Sequence, residues 1–71
     1  MKTYKNETSD VKYSVAHNDD DSVIHIGELA PTCEISTGLS NLEIYDTEQE
    51  VVDLYGEVAE RQLHPEDYMD E

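Results

Sequence analysis

Carboxylates are the side chains that could give this chain most of its chemistry. The 71 residues contain 18 Asp and Glu against 4 Lys and Arg, so the formal net charge at neutral pH is −14. A small domain needs a net charge of only about 2 to 8 to stay dissolved, so solubility alone does not explain this excess. Lys2, Lys5 and Lys12 lie near the N-terminus, and Arg61 is the only Lys or Arg that follows them. The acidity therefore belongs to the remainder of the chain.

A regular run of carboxylates occupies residues 50–60. Glu50, Asp53, Glu57 and Glu60 follow one another at spacings of three, four and three, which places them on one face of a continuous helix. At a rise of about 1.5 Å per residue they span roughly 15 Å. That is about one charge per 4 to 5 Å, close to the one charge per about 3.4 Å of a DNA strand. The spacing predicts a surface that imitates nucleic acid.

The plainer interpretation of this run of four carboxylates, the carboxylate stripe, is a solvated helix face. Solvated faces usually mix signs, whereas most neighbours here repel each other by a few tenths of a kcal/mol. Only Arg61, four residues after Glu57, is placed to offset this repulsion. Because a fold of this size gains little from its core, tolerated repulsion favours a binding role for the charge. The predicted partner-binding residues are Glu43, Asp46, Glu48, Glu50, Asp53, Glu57, Glu60, Asp19, Asp20 and Asp21.

Catalytic and metal chemistry are weaker interpretations. Cys33 could be paired with one of the three histidines, but the sequence spacing does not support this, and so short a chain leaves little room for a pocket. We therefore expect no enzyme and no cofactor. Residues 19–21 put three carboxylates in a turn, as calcium sites do, yet the EF-hand pattern is absent and a polar hairpin turn is favoured. The single cysteine and the three histidines are not spaced as the ligands of a zinc site are.

The strands are predicted from alternation of apolar and polar residues. Residues 11–17 show the period of two that is typical of a half-buried strand. Residues 22–29 continue the pattern after an Asn/Asp turn, which predicts an antiparallel hairpin. Residues 42–45 predict another strand, and residues 32–37 a weaker one that Gly38 ends.

One amphipathic helix is predicted over residues 48–63. Thr47 and Glu50 form a capping box at its start, and His64-Pro65 ends it. Gln62 alone interrupts the apolar half of the helical wheel, which contains Val51, Val52, Leu54, Tyr55, Val58, Ala59 and Leu63.

The predicted architecture is α+β: a small antiparallel sheet of three to four strands with one C-terminal amphipathic helix packed on one face. The domain covers residues 11–64, between a flexible segment at 1–10 and an acidic tail at 65–71. The lone Cys33 fits a reducing compartment. With no apolar run of membrane-spanning length and no signal-peptide core, we expect a cytoplasmic protein.

In size, charge and sheet-plus-helix layout, the chain resembles the small acidic inhibitor proteins of phages and mobile elements, the DNA mimics that block restriction or CRISPR systems. This resemblance implies a bacterial host cytoplasm, no cofactor and a basic nucleic-acid-binding target such as a CRISPR effector or restriction enzyme. Nucleic acid and anionic membranes would repel the chain, which is expected as a monomer or homodimer. The alternative is a small acidic phage accessory or assembly protein whose basic partner is unrelated to nucleic acid.

Overall fold

The computed structural model describes residues 2–20 and 22–68. The predicted α+β class is confirmed, with antiparallel strands in two sheets and helical packing on one of them. Among the described residues no helix has the length and apolar character that a membrane crossing needs. In chain order the elements are β1 Lys2–Lys5, β2 Lys12–His17, β3 Ile24–Leu29, β4 Glu34–Thr37, β5 Asn41–Tyr45, α1 Glu48–Tyr55, α2 Glu57–Leu63 and a 3-10 turn at Pro65–Asp67.

The main sheet has the strand order β3-β2-β5. The predicted hairpin of β2 and β3 is confirmed, and in it Val15 lies opposite Ile26. Strand β5 pairs with the other edge of β2, where Ser14 lies opposite Ile44. Strand β2 is buried on both faces, since Ser14, Val15 and Ala16 expose 1%, 0% and 1% of their surface. The central strand therefore supplies core residues to both sides of the sheet.

The second sheet joins the N-terminal segment to β4. Residues 1–10 were expected to be flexible, but Lys2–Lys5 pairs antiparallel with Glu34–Thr37, and Tyr4 lies opposite Ile35. The strand predicted within 32–37 is therefore present, but its partner is β1 and not the main sheet. Strand β1 shows no apolar period from which it could be predicted. It is held in place by backbone hydrogen bonds and by the contacts of the residue that follows it.

That residue, Asn6, is fully buried. Its Nδ2 donates to the carbonyl oxygens of Asp10 at 2.8 Å, Leu29 at 3.0 Å and Ala30 at 3.2 Å. Its Oδ1 accepts from the backbone N–H of Thr8 at 3.0 Å and from the Thr8 hydroxyl at 2.6 Å. One neutral side chain thus ties the 8–10 loop to the end of β3.

The backbone of Asn6 makes a second connection, to the segment before β4. Its N–H donates to the Cys33 carbonyl at 2.8 Å, and its carbonyl accepts from the Thr32 N–H at 2.8 Å. Thr32 has a φ of 62°, a left-handed conformation that costs an L-residue about 1 to 2 kcal/mol. The paired hydrogen bonds help to hold this strained turn in place.

The helix starts as predicted, because the Thr47 hydroxyl accepts from the Glu50 N–H at 3.3 Å. The single helix predicted over residues 48–63 is wrong. It breaks at Gly56, whose φ of 65° and ψ of −136° are accessible to glycine and strained for other residues. The Gly56 N–H still donates to Val52, and its carbonyl accepts from Glu60. Gly56 thus ends α1 and begins α2.

The predicted apolar half of the helix is only partly buried. Leu54 and Val58 were predicted to face inward, but Leu54 on α1 is 63% exposed and Val58 on α2 is 44% exposed. The buried cluster consists of Val15, Ile26, Val51 and Ala59. The half-buried residues packed around it are Tyr13, Ile24, Tyr45, Val52, Tyr55 and Leu63.

Gln62, the polar residue in the predicted apolar half, has a structural role. Its Oε1 accepts from the Ile26 N–H at 2.8 Å, and its Nε2 donates to the Ile24 carbonyl at 3.1 Å. Both groups belong to β3, which is at the edge of the main sheet. The side chain satisfies edge groups that would otherwise be open to pairing with another strand, and it fixes α2 to the sheet.

Replacing Asn6 with Ala should lower the free energy of unfolding by about 2 to 3 kcal/mol, because one buried carbonyl, of Leu29, and two part-buried carbonyls would lose their donor. Urea unfolding followed by circular dichroism measures this loss. Asn18→Ala is the matched control, since the Asn18 amide makes one exposed hydrogen bond to Ser22. Equal losses in the two variants would contradict the role assigned to Asn6.

Replacing Gln62 with Glu should destabilise the protein by about 1 to 2 kcal/mol at pH 7, because a carboxylate would replace the donor to the Ile24 carbonyl. The loss should shrink in acid, where a protonated carboxyl can donate again. Gln49→Glu on α1 is the control, because it has the same charge change and Gln49 donates only to the exposed side chain of Asp53 among the described contacts. Thermal unfolding at pH 7 and pH 4 compares the two variants, and equal losses at pH 7 would refute the edge contact.

Candidate partner-binding surface

The predicted acids fall into two groups in the structure. The turn group lies near the β2–β3 turn, and the helix group starts where β5 ends. Strand β5 separates them, since Asn41 pairs with His17 beside the turn and Tyr45 pairs with Tyr13 at the other end, about 14 Å away at about 3.4 Å per residue. The turn group is Asp19 and Asp20; the helix group is Asp46, Glu48, Glu50, Asp53, Glu57 and Glu60. Glu43 lies between the groups, in the middle of β5 opposite Val15. Asp21 lies outside the described residues.

The two turn aspartates make short-range hydrogen bonds. Asp19 Oδ1 accepts from Asn41 Nδ2 at 2.9 Å, which connects the hairpin turn to the start of β5. Asp20 Oδ1 accepts from the Ser22 N–H at 2.9 Å. Hydrogen bonds from the Ser22 side chain and backbone lower the pKa of Asp20. This is the geometry of a polar hairpin turn, and both carboxylates remain exposed.

Glu43 connects the turn to the aromatic residues near α1. Its Oε1 accepts from the Tyr45 hydroxyl at 2.6 Å, and its Oε2 lies 3.5 Å from His17 Nε2. The Tyr45 ring packs edge-on against Tyr55 with the centroids 6.4 Å apart. Burial, with the hydrogen bond to Glu43, raises the pKa of Tyr45. Tyr45 is half-buried.

The start of α1 concentrates three acids around the helix cap. Asp46 Oδ1 lies 2.6 Å from Lys12 Nζ, and this hydrogen bond raises the pKa of Lys12. Glu50 Oε1 accepts from the Asp46 N–H at 3.3 Å, one residue earlier than a capping box predicts. The Glu50 carboxylate therefore accepts a hydrogen bond from the backbone just before the helix cap.

The predicted stripe is divided by Gly56, so its estimated span and charge density do not hold. Glu50 and Asp53 lie on α1, whereas Glu57 and Glu60 lie on α2. All four are exposed. The structure thus presents two short pairs of carboxylates in place of one continuous row.

The α2 pair is partly compensated. Glu57 Oε2 accepts from Arg61 Nε at 3.0 Å and from a terminal guanidinium nitrogen at 2.8 Å. The same guanidinium lies 5.1 Å from the centroid of the Tyr68 ring, and the Tyr68 hydroxyl donates to Glu60 at 2.6 Å. This hydrogen bond raises the pKa of Tyr68. Tyr68, assigned to the acidic tail, instead packs against α2.

Glu48 makes a contact that the sequence did not predict. Its Oε2 lies 2.5 Å from His64 Nε2, and His64 Nδ1 lies 3.7 Å from Glu66 Oε2. The hydrogen bond to Glu48 raises the pKa of His64. His64, Glu66 and Asp67 also bring one ligand atom each within 4.8 Å of one another, the only such group of potential metal ligands among the described residues. The 16-residue separation of Glu48 and His64 left no local pattern to identify the pair.

The exposed acids greatly outnumber the cations that pair with them. Of the predicted acids that the structure describes, Glu48 is half-buried and the others are exposed. Within the described ranges, Lys12 with Asp46 and Arg61 with Glu57 are the ion pairs that involve Lys or Arg.

No protein-family model matches the chain, and neither a curated protein nor a solved structure matches it.

The His64–Glu48 pair should make stability depend on pH. Because the pKa of His64 is raised in the folded state, its stabilisation is fully present below the unfolded value of about 6.5 and is lost as the pH rises through the folded value. His64→Gln should therefore lower the melting temperature most at pH 5.5 and least at pH 8.

Thermal unfolding across this range checks the prediction. The charged groups near His64 are Glu48, Glu66 and Asp67. Because they are present in both proteins, the quantity compared is the difference in melting temperature between the variant and the wild type at each pH. His25→Gln, which removes an exposed imidazole from β3, is the control for loss of a histidine. A deficit of His64→Gln that is constant with pH would show that the contact is not an ion pair.

Proposed function

We propose that this protein inhibits a nucleic-acid-binding protein by occupying, with its carboxylates, a cationic surface that otherwise holds phosphates. It acts by binding and not by catalysis. The observation that supports this is the excess of exposed carboxylates over the Lys and Arg side chains that pair with them. Exposed acids occur in both groups and on the strand between them: Asp19, Asp20, Glu43, Asp46, Glu50, Asp53, Glu57 and Glu60.

Asp46 and Glu57 are paired with Lys12 and Arg61, but hydrogen bonds from neutral donors position three of the other acids without cancelling their charge. Asp53 accepts from the Gln49 amide, Asp19 from the Asn41 amide and Glu60 from the Tyr68 hydroxyl. Each donor is neutral, and an ionised carboxylate can accept about four hydrogen bonds. These carboxylates therefore retain their charge and further acceptor capacity toward Lys or Arg of a partner.

Long-range attraction would bring such a partner to this surface. A strongly acidic surface accelerates encounter with a cationic channel, and the effect falls as salt rises. A CRISPR effector or a restriction enzyme in a bacterial cytoplasm fits this description, because its channel already places cations for phosphates. The chain itself would be repelled by nucleic acid.

The break at Gly56 favours one rival function. It removes the regular spacing that compared well with a DNA strand, and Arg61 compensates Glu57. An acidic accessory or assembly protein needs a negative surface but no DNA-like spacing. Its basic partner would have no nucleic-acid function.

Capture from a bacterial lysate on the immobilised protein distinguishes the two functions. Retained protein is eluted by stepwise salt, and then in a separate run by excess duplex DNA or guide RNA. The inhibitor function predicts a retained nucleic-acid enzyme or effector that nucleic acid displaces. Retention of a protein that ignores the competitor would support the accessory function instead.

A charge-matched pair of variants locates the surface. Glu50→Gln, Asp53→Asn and Glu60→Gln together should weaken retention about tenfold or more, since several charge contacts of about 0.5 kcal/mol each are lost. The control carries Glu7→Gln, Glu28→Gln and Glu34→Gln, three exposed acids outside the predicted surface. Equal weakening by both sets would show that only net charge matters.

A further inference from the structure

Two apolar side chains on the helices face solvent. Leu54 is the most exposed large hydrophobic residue among those described, at 63%, and Val58 is 44% exposed. They lie on either side of Gly56. On a continuous helix both would share the apolar half with Val51 and Ala59, which are fully buried.

Backbone conformation, and not crowding, accounts for glycine at this position. A Cβ at Gly56 would meet no atom within 4 Å, but its φ is +65°, where L-residues are strained. Alanine there would favour a continuous helix. The break therefore separates Leu54, on α1, from Val58, on α2, and both side chains are exposed.

Carboxylates flank the two apolar residues along the chain. Glu50 lies one helical turn before Leu54 on the same face of α1, and Asp53 and Glu57 are the sequence neighbours of Leu54 and Val58. Four residues of chain span at most about 14 Å, so Leu54 and Val58 lie in one region. We name these five residues the Leu54–Val58 surface.

We propose that the Leu54–Val58 surface docks a cationic protein segment that carries apolar side chains among its Lys or Arg residues. Charge complementarity selects this occupant. With a formal net charge of −14, a second copy of the chain would bring like charges together, and nucleic acid or an anionic membrane would also be repelled. A Lys/Arg-rich segment with apolar residues matches both components of the surface.

This inference rests on the proposed function and makes it more specific. A purely electrostatic mimic would bind with an affinity that salt largely abolishes. Burial of Leu54 and Val58 adds a component that salt does not screen. The target would therefore be held by its apolar side chains as well as by the cations that normally meet phosphates.

Two synthetic peptides test the inference directly. They have equal length and equal numbers of Lys, and one carries Leu at helical i, i+3, i+4 spacing where the other carries Ser. Fluorescence anisotropy against the whole protein over a range of salt should show about tenfold tighter binding of the Leu peptide. Leu54→Ser with Val58→Ser should remove that advantage and leave the slope of log Kd against log salt unchanged.

The control variant is Val11→Ser with Val23→Ser, two apolar residues that are 39% and 48% exposed and belong to neither helix. It should keep the preference for the Leu peptide. Glu50→Gln with Asp53→Asn should weaken both peptides and reduce the salt slope. Circular dichroism and urea unfolding confirm that each variant is folded, which is expected because the replaced side chains are exposed.

Equal binding of the two peptides would overturn the inference, as would loss of the preference in the Val11/Val23 control. Sedimentation that shows a dimer of the wild type but a monomer of the Leu54/Val58 variant would also overturn it, because a second copy would then cover the surface. In each case the lysate competition could still identify a nucleic-acid-binding target, so the two proposals fail separately.

Discussion

The buried amide of Asn6 is the contact on which the rest of the structure depends. Its side chain reaches the 8–10 loop and the end of β3, and its backbone pairs with residues 32 and 33. These hydrogen bonds connect the β1–β4 sheet to the end of β3, an edge strand of the main sheet. A neutral amide suits this position, since it both donates and accepts and adds no charge to the interior. An Asp there would add another negative charge and lose the donors.

The same separation of polar roles extends to the surface, where carboxylates are held mainly by neutral or backbone donors. Neutral side chains donate hydrogen bonds to these acids: Gln49, Asn41, Tyr45 and Tyr68. At the helix cap, the Thr47 hydroxyl accepts from the Glu50 N–H. Few Lys or Arg are involved, so repulsion persists in the folded state. In a domain with so small a buried cluster, this repulsion is a large burden relative to a total stability of about 5 to 15 kcal/mol.

Local patterns predicted the elements that local physics determines. The β2–β3 hairpin, β5 and the helix start follow from alternation, turn residues and a cap, each within a few residues of sequence. The break at Gly56 was missed because a glycine inside a helical pattern costs only about 1 kcal/mol, and the apolar wheel outweighed it. Strand β1, the Gln62 contacts with β3 and the His64–Glu48 pair depend on residues far apart in sequence. No local period in the sequence predicts these contacts. The even carboxylate stripe was an artefact of assuming one continuous helix.

The broken helix changes what an acidic inhibitor of this kind requires. Lys and Arg side chains are long and flexible, so a cationic partner can adjust to carboxylates that do not follow the spacing of phosphates. Regular spacing is then less important than the local density of charge, which attracts a partner over about 8 to 10 Å at ordinary salt. Attraction of this kind does not discriminate among cationic proteins. The apolar side chains beside Gly56 supply a short-range contact that does, because only a partner with matching apolar groups can bury them.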